Sequence, residues 1–283
     1  MTRFLITGAG GMLGQDLQAV LQDRPHTALT RSQLDITDLD AVRAAVVGHD
    51  VVINAAAYTK VDDAETDEAA ADAVNAAGPR ILATATAEVG ARLITLSTDY
   101  VFDGNGTAPY AEDAPTDPLN AYGRSKAKGE AAIRALAPDT ASVVRTAWIY
   151  GEHGPNFAAT MLRLARTHET VQVVTDQVGQ PTWTVDLARQ LVAMVDHDVP
   201  AGIYHATNAG EASWFEFTQA IFAESGLDPA RVLPTDSSAF VRPAPRPAYS
   251  VLGHAAWSAV GLAPMRHWRA ALHAAVESGA LGR

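Results

Sequence analysis

A doubly wound α/β fold, a parallel sheet with helices on both faces and a smaller C-terminal lobe, is what this sequence predicts. Three observations carry that expectation. Short apolar runs alternate with stretches of helical period; a glycine-spaced loop joins the first run to the first helix; and polar residues gather just past the ends of later runs. Strands and helices alternating at this spacing imply parallel strands joined by crossover helices. Such a sheet binds its ligands at the carboxyl ends of the strands.

Taken in order, "RFLIT" (3–7) reads as a buried strand and "MLGQDLQAVLQD" (12–23) as a helix. "TALT" (27–30) is strand-like, and "DLDAVRAAVVG" (38–48) is a helix with Asp38 near its start. "DVVINAAA" (50–57) is the next strand; residues 67–90 form a long helical stretch that Gly78-Pro79 is expected to bend. "RLITLS" (92–97) and "ASVVRT" (141–146) are two further strands, separated by the loop and helix that hold "PLNAYGRSKAKGEAAI" (118–133). Residues 1–150 thus predict a Rossmann-type nucleotide-binding domain, and 151–283 a substrate-facing lobe, part of which returns to the first sheet. In that second region the periodicity predicts helices over 156–167, 184–196, 213–225 and 267–278, short strands at 171–174 and 202–206, and a proline-rich structured loop over 228–250. There is no internal repeat.

The totals narrow the classes. The chain has 283 residues, 48% hydrophobic and 19% charged, as an ordinary globular protein does. A net charge of −11 argues against a general nucleic-acid surface and against anionic membrane. With no cysteine, disulfides, thiol nucleophiles and thiolate metal sites are excluded. No secretory signal and no membrane-length apolar run is evident, so a cytoplasmic protein is expected. The nine histidines include no pair four apart, so no helical metal pair is present.

Four constellations carry chemistry. "TGAGGMLG" (7–14) spaces Gly8, Gly11 and Gly14 at the turn from strand to helix, where Met12 and Leu13 open the helix. Glycines there let the backbone turn tightly and approach a pyrophosphate that faces the helix N-terminus. The next strand ends in "ALTRSQ": Arg31 and Ser32 offer a guanidinium and a hydroxyl to a 2′-phosphate, and no carboxylate stands where an NAD site would place one. Asp35 follows in "LDI" with Ile36 and is expected beside the adenine. NADPH is therefore the expected cofactor, with NADH the alternative. "NAAAYT" puts the small residues Ala55, Ala56 and Ala57, then Tyr58 and Thr59, at a strand end where a flat ligand lies against backbone. "STDYVFDG" brings Thr98 and Asp99 to the end of the strand at 92–97.

Tyr122 and Lys126 complete the set. The chain has 21 basic residues but only three lysines, Lys60, Lys126 and Lys128, and one stands four residues after a tyrosine. At that spacing both side chains share one helix face. A free phenol titrates near pH 10 and is a poor acid–base group at neutral pH; an adjacent ammonium is expected to lower that value.

"TGAGGMLG", "NAAAYTKVDDAE", "STDYVFDG" and "YGRSK" resemble, in order and spacing, the extended short-chain dehydrogenase/reductase superfamily. With "RTAWIYG", "NFAATMLRLA", "DQVGQPT", "GIYHATN" and "RPAYSVL", the chain is similar throughout to the dTDP-4-dehydrorhamnose reductase family. The resemblance implies that Thr98 bonds the sugar's carbonyl oxygen, Tyr122 gives that oxygen its proton, and Lys126 holds the ribose. It places Asp99 and Trp148 next to the sugar, and Asn156 and Arg246 on the sugar nucleotide, with Arg246 at its diphosphate. The partner it implies is a small-molecule sugar nucleotide, for a monomer or a homodimer, with no nucleic acid and no membrane. Some members dimerise through magnesium held by acidic side chains. Asp16 falls at one such position, but as Asp where Glu is usual, and no metal is assigned. Related members reduce other dTDP-4-keto-deoxysugars, and one relative is a non-catalytic NADP-binding regulatory subunit; the intact Thr98, Tyr122 and Lys126 favour catalysis. Tyr100 stands where a 4,6-dehydratase carries glutamate, which disfavours dehydration.

Overall fold

The computed structural model describes residues 1–281, so the last two positions of the lobe expected over 151–283 lie outside the described residues. Six parallel strands form the central sheet: β1 (Phe4–Thr7), β2 (His26–Leu29), β3 (Val51–Asn54), β4 (Arg92–Thr98), β5 (Ala141–Thr146) and, from much later in the chain, β10 (Ile203–His205). Their order is β10-β5-β4-β3-β1-β2. The order reverses between β1 and β3, which makes the loop after β1 the switch point where such sheets bind ligands.

Both faces of the sheet are buried because successive side chains alternate. Phe4 and Ile6 join Ile53, Ile94 and Leu96 on one face, covered by Leu13 and Leu17 of α1 (Met12–Val20), Leu187 and Leu191 of α7 (Thr184–Asp196), and Trp257. Leu5, Val52, Leu93 and Val143 point the other way, under Val42 and Val46 of α2 (Leu39–Val46), Leu82 of α4 (Gly78–Val89) and Ile133 of α5 (Ala121–Leu136). The side chain of Asp38 caps α2, accepting from the amides of Asp40 and Ala41.

Within the stretch 67–90, residues 68–89 are helical without a break, but they do not form one regular helix. α3 (Glu68–Asp72) runs into a π-turn over Ala73–Ala77, and α4 follows. Pro79 has no N–H to give the carbonyl of Asn75. The widened turn leaves that carbonyl packed against Gly129 of α5, so closely that a Cβ at 129 would collide with it.

The second half carries short strands and helices around its own aromatic core of Tyr150, Trp183, Phe217 and Trp268. Its elements are β6 (Ile149–Tyr150), α6 (Phe157–Thr167), β7 (Val171–Val174), β8 (Val178–Gly179), β9 (Thr182–Trp183), β11 (Ala212–Ser213), α8 (Trp214–Glu224) and α10 (Trp268–Glu277). The proline-rich 228–250 is not wholly loop: β12 (Val232–Thr235) pairs in parallel with β7. A short helix, α9 (Ala255–Ala259), carries Trp257 back beneath the main sheet. No helix among the described residues is long and apolar enough to cross a membrane.

Candidate active site

The glycine loop is shaped by close approach. Gly8 has φ 70°, and a Cβ there would lie 2.5 Å from the amide nitrogen of Ala56. A Cβ on Gly14 would strike the carbonyl of Gly8. Only glycine fits either place, and the loop of Gly8 therefore lies directly on the Ala55–Ala57 segment. Gly11 is the N-cap of α1 and supplies no side-chain cap. The first amides of that helix thus keep their hydrogen-bonding capacity for an anion, as a dinucleotide pyrophosphate requires. Met12 is half-buried, and Leu13 is core. The residues present fit a dinucleotide.

Along the rest of the expected cofactor strip, Ala55, Ala56, Ala57 and Tyr58 are half-buried and Thr59 is exposed. Arg31 and Ser32 are exposed at the end of β2, with Ser32 hydrogen-bonded to Thr30 at 3.0 Å. Asp35 accepts from both the amide and the hydroxyl of Thr37, which hold its pKa below the usual range. Ile36 is 4% exposed and packs against Gly78, so it belongs to the core that shapes the strip.

The catalytic candidates meet at the end of β4. Thr98, its last residue, donates to Asp99 Oδ1 (2.9 Å) and accepts from the amide of Tyr100 (3.2 Å). Tyr122 is the second residue of α5, half-buried, with its ring edge-on to Tyr100 at 5.9 Å. Asn120 caps this helix through Gly123 (2.8 Å) and ties it to the Pro245 carbonyl (2.9 Å), while Glu65 accepts from the amide of Ala121 (2.7 Å). Gly123 lies so close to the Tyr100 carbonyl that no side chain fits between them. These contacts fix the phenol beside Thr98.

The electrostatics differ from the expectation in one respect. Lys126 is on the same helix face but only 4% exposed, and its Nζ donates to the Leu96 carbonyl at 2.7 Å. It does not lower the phenol's pKa in this state. Burial, and then the charge of Asp99, push Tyr122 up to about 12, with Thr98 pulling the other way. Burial pulls Lys126 down to about 8, opposed by Glu130. Asp99 is pushed up to about 6 by burial, with Ser250 and Thr98 opposing; its Oδ2 is buried without a partner. The site therefore holds a neutral phenol at neutral pH.

Around this centre the remaining candidates take different places. Trp148 follows β5, whose Thr146 pairs with Thr98, and it has φ 46°, a strained value for a bulky residue. Arg246 binds Asp62 (3.0 Å) and the Ala244 carbonyl (3.0 Å) at the rim, near enough for its charge to act on Tyr100. Asn156 spends its side chain locally: it caps α6 through Ala159 (2.9 Å) and donates to the Gly151 carbonyl (2.9 Å). Asp16 is buried, bonded to Thr184, with one oxygen unpartnered and a raised pKa. Among the described residues no cluster of three potential ligands holds a metal.

Sequence reasoning missed several supports. Asn75, on the π-turn, accepts from the amide of Tyr58 (2.9 Å) and donates to its carbonyl (3.0 Å) and to Ser125 (3.0 Å). It joins the expected cofactor strip to α5. Glu130 accepts from Ser97 and from both forks of Arg145. Asn120 alone had a readable signal, an N-cap residue ahead of a helical run.

The model of a protein family described as the RmlD substrate binding domain matches residues 2–280. The chain is 55% identical over 278 residues to a dTDP-4-dehydrorhamnose reductase of Streptomyces griseus, covering 95% of this chain and 91% of that one. It is 52% identical over 274 residues to a dTDP-4-keto-6-deoxy-D-glucose reductase of Streptomyces niveus, covering 95% of each. A dTDP-4-dehydrorhamnose reductase structure from Bacillus anthracis, in complex with NADP, superposes with a TM-score of 0.94 at 37% identity, over 98% of this chain and 100% of that one.

Proposed function

The chain belongs to the family of the RmlD substrate binding domain, and from that membership we propose that it uses NADPH to reduce the 4-keto group of dTDP-4-dehydro-L-rhamnose, giving dTDP-L-rhamnose. It is an NAD(P)H-dependent oxidoreductase acting on a keto group, and what is proposed is the cofactor preference, the sugar and the residue roles. The observation that carries the reading is the protonated phenol of Tyr122 fixed beside the Thr98 hydroxyl at the carboxyl end of a Rossmann-type sheet.

The nicotinamide supplies hydride to the carbonyl carbon when it is bound. Gly8, Gly11 and Gly14, with the first amides of α1, would hold its pyrophosphate, and Arg31 and Ser32 its 2′-phosphate. Thr98 holds the ketone oxygen. Tyr122 hands that oxygen its proton, which a group with a pKa near 12 can do because the alkoxide formed is more basic still. Lys126, buried beneath the site with its Nζ on Leu96, turns its remaining N–H groups to the ribose. Arg246, already at the rim, exchanges Asp62 for the substrate diphosphate. The region after Thr146 supplies the sugar-nucleotide lobe.

Two relatives of near-equal identity act on sugars of different configuration by their names, so the test reads the product. Purified protein with NADPH and dTDP-4-dehydro-L-rhamnose should show stoichiometric nicotinamide oxidation, and NMR should identify the L-rhamno product. Turnover only with a 4-keto-6-deoxy-D-glucose substrate would replace the sugar. No turnover with either, joined to tight association with another enzyme, would replace catalysis with regulation.

A further inference from the structure

We propose that Glu130 is the interior counter-charge of Lys126, a positioning residue that acts through that lysine by keeping its ammonium in place at the end of β4. The inference rests on the reading of Lys126 as the residue that holds the cofactor ribose.

Lys126 and Glu130 stand four residues apart on α5 and share one face. Both are buried, 4% and 5% exposed, so solvent screens neither charge. They grip consecutive residues of β4. Lys126 Nζ donates to the Leu96 carbonyl at 2.7 Å, and Ser97 Oγ donates to Glu130 Oε1. Arg145, the register partner of Ser97 on β5, meets the same carboxylate with its fork, Nε on Oε1 at 3.0 Å and Nη2 on Oε2 at 2.7 Å. The carboxylate is thus anchored one residue before Thr98. A buried ion pair adds little stability over apolar residues of the same volume. Stability therefore gives no account of Glu130 and Arg145 at this place, whereas a buried lysine gains directly from a carboxylate on its own helix face.

Among the described residues, Glu130 alone bears on the charge of Lys126; burial pulls the lysine down to about 8 and Glu130 opposes the pull. The other charged groups on the elements packed against α5 are engaged elsewhere. Glu68 and Asp72 of α3 pair with Arg124 and Lys128, Asp63 with Lys60, and Glu88 of α4 with Arg43. Glu65 accepts from the Ala121 amide, and the π-turn carries no charged residue. Asp99 bears on Tyr100 and Tyr122, while Arg92, at the far end of β4, donates to the Met194 and Val199 carbonyls. His205, beyond Arg145, is pulled down to about 3 by burial and then by Arg145, and brings no charge.

The test reads Lys126 directly. The chain has three lysines, and Lys60 and Lys128 are exposed, so NMR of the full-length protein with isotope-labelled lysine resolves the titration of Lys126. Wild type should titrate near 8. Glu130→Gln should lower that midpoint by about one pH unit, because the ammonium loses its counter-charge. Arg145→Gln leaves the carboxylate unshared and should raise it by about as much. Both variants break the same ion pair, so a merely structural role moves the two midpoints alike or not at all. Ser97→Ala, which keeps every charge, should leave the midpoint where it is. The pH at which NADPH affinity begins to fall should move with the midpoint in each variant. Equal midpoints in wild type, Glu130→Gln and Arg145→Gln would overturn the inference, as would shifts of the same sign. If Glu130→Gln does not fold, the upward shift in Arg145→Gln decides alone. Midpoints that move as expected while NADPH affinity ignores them would uphold the counter-charge and remove Lys126 from the ribose instead.

Discussion

Tyr122 is a neutral acid because it is buried beside a carboxylate, and that carboxylate is itself a titrating group. Burial raises Asp99 to about 6. A carboxyl raised in the folded state stabilises the fold below its unfolded pKa and loses that contribution as pH rises through the folded value. Asp99 should therefore destabilise the protein across pH 4 to 6, by about 3 kcal/mol for a shift of about two units. Asp99→Asn should flatten that slope in chemical denaturation; an unchanged slope would show that Asp99 stays ionised throughout. Lys126, lowered to about 8, loses its charge above that pH. If its ammonium holds the ribose, NADPH affinity should be flat below pH 8 and weaken by up to about tenfold per unit above it, in titrations of cofactor fluorescence. Arg31→Ala should weaken NADPH by about tenfold and leave NADH nearly untouched; an unchanged ratio removes the phosphate pocket. The placement of Thr98 at a strand end, and of Tyr122 and Lys126 on one helix, was legible because a strand end and an i, i+4 spacing are local patterns. Asp62 under Arg246 was not, because the two meet only through tertiary folding.

Among the elements, α5 shows how a helix aims a side chain. Its cap, Asn120, serves twice, holding Gly123 and the Pro245 carbonyl. Asn120→Ala should lower stability by about 1 kcal/mol as a lost cap does. It should also lower kcat, because the first turn carries Tyr122. A loss of stability with kcat intact would confine Asn120 to the cap. The strands of the sheet and most helices were readable from apolar period. The π-turn was not, since a sequence shows that Gly78-Pro79 disturbs the helix but not that the disturbance lodges at Asn75 and turns it toward Tyr58 and Ser125. The strand within 228–250 was hidden for a related reason: Pro234 lies in it, and a parallel two-stranded pair at an edge tolerates proline where a central strand would not.

At the scale of the molecule, the ends of β4 and β5 gather the site, and the chain returns several times to close it. β10 pairs with β5, Trp257 fills the core under the sheet, and the segment around Pro245 and Arg246 closes over α5. These returns join residues distant in sequence, so periodicity alone could not place them. What they build, on the proposed reading, is a site in which the phenol of Tyr122 stays protonated until a ketone oxygen gains charge beside it. The most direct test is single-turnover hydride transfer to dTDP-4-dehydro-L-rhamnose by Tyr122→Phe loaded with NADPH. The rate should fall by about a thousandfold, with NADPH affinity within about twofold of wild type, since only a hydroxyl is removed. A rate equal to wild type would show that the proton comes from another group.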